Sequence, residues 1–176
     1  MASEQIVAAA PLPESRSTIT SDAIAREGIA AGLCAAGAIA VWFFLVDLAY
    51  GRPLYTPTVL GTALFRGGAG IDSPATLAVS GEMVLMFTWV HCLAFGIVGG
   101  LVAWLLSVVE RNPNLGFGIM LLFVYLEGAF LVVSFLFAET VIHALAWPAV
   151  VVGNLLAAAV MALYFWKRHP NLLIRP

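Results

Sequence analysis

The chain has 176 residues, of which 62% are hydrophobic and only 10% charged, with a net charge of −2. Soluble domains carry about a quarter charged residues, so this composition excludes a water-soluble globule, whose surface these few charges could not cover. The balance also excludes the concentrated basic face that nucleic-acid binding requires, and the two cysteines, Cys34 and Cys92, lie inside apolar runs without a CxxC pattern and read as small packing residues.

Residues 1–26 open with MASEQIVAAAPLPESRST, which lacks the basic start and immediate hydrophobic core of a secretory signal. They read as a flexible tail, with the first helix starting inside SDAIAREG and capped by Ser21 or Asp22. Four apolar runs follow, at 28–50, 83–109, 116–138 and 147–166. About 20 apolar residues cross ~30 Å of hydrocarbon as a helix, so each run is long enough to span. Unpaired backbone groups are not tolerated in lipid, which makes helices the expected form. The fold class is therefore all-α: an integral membrane four-helix bundle within residues 27–168, followed by a short tail, 169–176.

Lysine and arginine set the expected orientation. Arg16, Arg26, Arg111, Lys167, Arg168 and Arg175 fall on one side, and only Arg52 and Arg66 on the other. Both termini are thus expected in the cytoplasm. Tyr164 and Trp166 run into Lys167-Arg168-His169 as an aromatic anchor before a basic stop. Trp104 marks the same inner interface, with Trp42 and Tyr50 toward the outer one.

The connections differ in kind. Arg111-Asn112-Pro113-Asn114 is a tight polar turn, so the second and third spans should be antiparallel neighbours. Residues 51–82 form an outer-face segment that is long for a bare loop. Thr56 followed by Pro57 reads as an N-cap and a first helical proline. Val59, Leu60, Ala63 and Leu64 then recur at helical spacing, before Arg66 and GGAG end the element. A second short helix is expected from Ser73-Pro74, broken near Ser80-Gly81. Both short helices should lie on the membrane surface between spans 1 and 2. A simple connector is the plainer reading, a cap over a partner or site the sharper one.

Polar residues inside the spans are the candidate functional set. Glu127 and Asn154 lie thirteen residues before and fourteen after Thr140, in the connection between the third and fourth spans. Equal distance from a hairpin turn means equal depth, so the two should meet and hydrogen-bond. A charged carboxylate at mid-bilayer is expensive, and Glu127 is expected in its neutral form. His91 and Ser134 complete this intramembrane polar cluster. Near the turn, Glu139 and His143 are four apart and share a helix face if that stretch is helical. They could open a metal site only with further ligands, for which Asp47, Asp72 and Glu82 are available on the outer side. Solvated helix-end polarity is the commoner meaning of such a pair.

Small residues define two helix-packing faces of the small-xxx-small type. Gly28, Gly32 and Ala36 line the first span; Cys92, Gly96, Gly99 and Ala103 line the second, with His91 about 110° from the middle of that stripe. On this geometry the stripe receives one helix and His91 faces another helix or an inner cavity.

Catalytic patterns are missing: the sequence has no GxSxG, P-loop or HExxH, and no Glu-x-x-His of the di-iron bundles. Haem b held by two histidines needs both at one depth, and His91, His143 and His169 are poorly matched. No cofactor is expected, with haem b at His91 kept as an alternative.

Three stretches, VDLAYGRPLYTPTVLGTALF, VHCLAFGIVGG and WPAVVVGNLLAAAVMALYFWKRHP, resemble a recurring group of uncharacterised bacterial four-helix membrane proteins. The likeness covers most of the chain beyond the N-terminal tail. It implies a four-span layout in a bacterial inner membrane and transfers no catalytic residue. The expected function is a non-catalytic accessory or structural subunit, whose partners are the lipid bilayer and other membrane subunits or a second copy. The rivals are a haem- or metal-binding electron-transfer subunit using His91, and a small proton or solute carrier using Glu127.

Overall fold

The computed structural model describes residues 21–67, 71, 77–118 and 147–169. Among these the elements are α1 (Ser21–Ala49), α2 (Tyr55–Phe65), α3 (Gly81–Arg111), a 3-10 turn at Pro113–Leu115, and α4 (Trp147–Arg168). Helices α1, α3 and α4 contain 29, 31 and 22 residues. At 1.5 Å per residue they measure about 44, 47 and 33 Å, each longer than the ~30 Å hydrocarbon layer. All three are long and apolar enough to cross a membrane, and a chain with three such helices is a membrane-spanning helical protein. The third expected span, 116–138, lies outside the described residues from position 119 onward.

The helix ends follow local chemistry. Helix α1 starts at Ser21, inside SDAIAREG as expected, so the tail boundary at residue 26 falls within the helix. It ends in a Schellman turn: Gly51 N–H donates to Leu48 O (3.0 Å) and Arg52 N–H to Asp47 O (2.9 Å). Gly51 sits at φ +69°, where a side chain would be strained. Ser80 caps α3 by accepting from Met83 N–H at 3.4 Å. Glu82 in its first turn and Arg111 in its last complement the helix dipole. Residues 81 and 82 thus belong to α3 rather than to the cap segment.

Helix α1 packs against both α3 and α4. Ala31, Ala35 and Ile39 of α1 form one core with Ala103 of α3 and with Ala157, Met161 and Phe165 of α4. Small residues on α1 let both neighbours approach. The closest contact is backbone against backbone. A Cβ on Gly28 would lie 2.5 Å from Gly100 Cα, and one on Gly32 would overlap the carbonyl oxygen of Phe95. A Cβ on Gly99 would likewise overlap Gly28 O.

Cross-links fix the directions. Trp42, late in α1, donates from Nε1 to Ala149 O at the start of α4 (2.8 Å). At the opposite end His169, just past α4, meets Glu27 near the start of α1 and Glu110 near the end of α3. Helix α1 therefore runs against both partners, while α3 and α4 run parallel. Helix α2 packs over the start of α3, where Gly61 leaves room for the Met83 backbone. Its Tyr55 and Val59 pack with Ile71 and with Val150 of α4.

Candidate functional site

Polar side chains gather at three levels. At the α2 end, the Schellman turn brings Asp47 back toward the first turn of α2. Both carboxylate oxygens are engaged there: Thr56 N–H donates to Oδ2 at 2.7 Å and its hydroxyl to Oδ1 at 2.6 Å. Asp47 is 4% exposed and Thr56 equally buried. The carboxylate thus satisfies a free N–H and faces the positive end of the α2 dipole. This corrects the reading of Thr56 as the N-cap. The cap position belongs to Leu54, at φ +66° and without a side-chain cap, and Thr56 lies inside the helix as a donor. Thr58, fully buried, donates to Leu54 O (2.8 Å) and accepts from Ser80 N–H (3.3 Å), so α2 is also tied to the start of α3. Arg52 lies 3.8 Å over the Tyr55 ring and donates to Leu77 O. Arg66 and Glu82 form an exposed ion pair at 3.0 Å.

In the middle level, His91 turns Nε2 to Ala36 O at 3.4 Å. A carbonyl only accepts, so Nε2 carries the hydrogen. The ring sits between Phe87 and Phe95 on its own helix, with centroids 5.5 and 4.7 Å away. His91 consequently faces the small-residue side of α1, the helix that the stripe itself receives. Asn154 is half-buried on α4 and has no hydrogen-bond partner among the described residues. Glu127 and Ser134 lie outside those residues, as do Glu139, His143 and Asp72.

At the far end His169 joins all three long helices. Its Nδ1 lies 2.6 Å from Glu110 Oε1 and its Nε2 3.1 Å from Glu27 Oε1. Each ring nitrogen thus faces a carboxylate oxygen brought by a different helix. Arg168 stacks at 5.6 Å over Tyr164 beside it. The sequence reading passed over Glu27 and Glu110. The signal was present: with the expected topology, positions 27, 110 and 169 all fall at the ends of spans on one side.

The small-residue faces meet in part. Gly28 and Gly32 oppose Gly99, Ala36 and Ala103 are buried, and Cys92 is half-buried. Gly96 departs from the expectation, because a Cβ there would meet nothing within 4 Å. Cys34 is exposed, not a packing residue.

Among the described residues these groups do not converge into a reactive constellation. Asp47 is committed to Thr56 and Glu82 to Arg66, so neither stands ready for a metal at the outer end. Among the described residues no group of three or more His, Cys, Asp or Glu side chains could hold a metal ion. His91 and Glu110 are nineteen positions apart on α3, which places His91 and His169 about 28 Å apart in depth. The two cannot share one iron, and His91 Nε2 already serves Ala36. No family model matches the chain, and comparison with curated proteins and with solved structures gives no match either.

Proposed function

We propose that the chain is a non-catalytic, four-crossing protein of a bacterial cytoplasmic membrane that serves as an accessory or structural subunit of a larger assembly or homo-oligomer. The observation that carries this reading is where the polar groups go. Asp47–Thr56, Thr58–Ser80, Trp42–Ala149 and His169 with Glu27 and Glu110 each fasten one element to another. Their bonding capacity serves assembly of the bundle, and between the charged helix ends the described surface left over is largely apolar.

The fourth crossing is supported by direction. Because α3 and α4 run parallel, the chain leaves at the His169 end after Gly118 and must begin α4 at the α2 end. Residues 116–138 are apolar and as a helix would rise about 35 Å, enough to make that return. Charge supports the orientation: Arg26, Arg111, Lys167 and Arg168 cluster at the His169 end, and Arg52 and Arg66 lie at the other. The positive-inside rule then puts the His169 end in the cytoplasm and α2 on the outer membrane surface.

Native mass spectrometry after gentle extraction tests the subunit reading. The expected result is a particle heavier than the 18.7 kDa chain. A monomer that carries a haem Soret band overturns it, and so does a monomer whose proteoliposome flux is abolished by Glu127→Gln.

A further inference from the structure

A trough of about 620 Å³ runs along the seam between α1 and α3, on the side away from α4. Its walls are Ile29 and Leu33 of α1 and Leu93, Ile97 and Trp104 of α3. Gly96 and Gly100 face it, and a Cβ on either glycine would meet only open space. The trough is thus made by side chains that are absent. At the His169 end it terminates at Ser21, Ser107 and Arg111. Arg111 is exposed and has no carboxylate partner among the described residues, because the adjacent Glu110 is held by His169.

We propose that this trough binds one anionic phospholipid, its acyl chain lying over Gly96 and Gly100 and its phosphate paired with Arg111. The inference rests on the membrane-spanning reading. Length and charge both argue for it. From Arg111 to Ile97 is fourteen positions along α3, about 21 Å, which carries the trough from headgroup level past the middle of a ~30 Å hydrocarbon layer. The acyl chain of a lipid in that leaflet fills the trough as far as about the midplane, and the wall at Leu93 lies deeper. An exposed guanidinium at headgroup depth, without a carboxylate partner among the described residues, matches a phosphodiester, and it lies among Arg26, Lys167 and Arg168 at the same end. A zwitterionic lipid would fill the same trough but bring an ammonium group next to four cations.

The test uses full-length protein in phosphatidylcholine vesicles doped with brominated-acyl phosphatidylglycerol or, separately, brominated-acyl phosphatidylcholine at equal mole fraction. Tryptophan fluorescence is read in the wild type and in Trp104→Phe, so that the difference reports Trp104. The anionic lipid should quench Trp104 with about fivefold tighter apparent binding, as one basic residue at the surface confers. Arg111→Gln should erase that preference while leaving quenching by phosphatidylcholine intact. Gly100→Leu, which fills the trough from its open side, should reduce quenching by both lipids. Equal quenching by the two lipids, or an unchanged preference in Arg111→Gln, overturns the proposal. Weak quenching by both lipids together with a dimer mass assigns the trough to a second copy and also overturns it. Were neither lipid to quench any tryptophan, the membrane reading itself would fall, which is a separate result.

Discussion

Gly32 offers the sharpest test of how the bundle is held. A methyl group added there would lie 2.6 Å from the carbonyl carbon of Phe95 and closer still to its oxygen. Both obstacles are backbone, so no side-chain rotation relieves them. Non-bonded carbons rest about 3.5–4.0 Å apart, so α1 and α3 must part by roughly 1 Å. A gap of that size forfeits a quarter to a half of each contact across the seam. Overpacking that forces backbone shifts costs about 1–3 kcal/mol, which is the loss expected of Gly32→Ala. The control lies on the same seam: at Gly96 and Gly100 a Cβ meets nothing within 4 Å. Gly96→Ala and Gly100→Ala should be unchanged or up to about 1 kcal/mol more stable, from helix propensity alone. Unfolding in mixed detergent micelles with rising dodecyl sulfate, followed by far-ultraviolet circular dichroism, gives all three values. Equal effects of Gly32→Ala and Gly100→Ala would refute the assignment of the close approach.

Three further outcomes are expected. Asp47→Ala removes the carboxylate that accepts two bonds from Thr56 and should cost about 2 kcal/mol, with Asp47→Asn losing less; hydrogen exchange at the Thr56 amide should rise in step, and an unchanged amide would contradict the capping role. His169→Ala should cost about 1–2 kcal/mol in the same unfolding assay, and a double-mutant cycle with Glu110→Gln should show coupling, which strict additivity would exclude. Glu127→Ala and Asn154→Ala should couple in a similar cycle if the two meet at one depth; additive losses would remove that contact.

The spans were legible in the sequence because their signal is local. Run length and hydropathy alone put helices close to 28–50, 83–109 and 147–166, and the observed helices differ only by extending into polar flanks at Ser21, Gly81, Arg111 and Arg168. Those flanks are helical because capping and dipole interactions at helix ends tolerate charge, which hydropathy counts against them. The small residues of α1 and α3 were also visible as stripes.

What the sequence could not determine was which small residue touches which, because spacing gives a face and not a crossing point. Gly28, Gly32 and Gly99 turn their missing side chains into the seam where the two backbones meet, while Gly96, buried on the same stripe beside Gly32, turns its own toward open space. The cap of α2 was hidden for a related reason. Thr56 beside Pro57 satisfies the local rule for an N-terminus, yet the acceptor came from Asp47, nine residues earlier and on another helix. Likewise His169 sits between carboxylates 59 and 142 positions away. The sequence by itself determined that the chain is a membrane-spanning helical protein and where its three described long helices lie. Only tertiary structure decided how their few polar groups pair, because in an apolar surrounding each such group takes whatever partner the crossing of helices brings within reach.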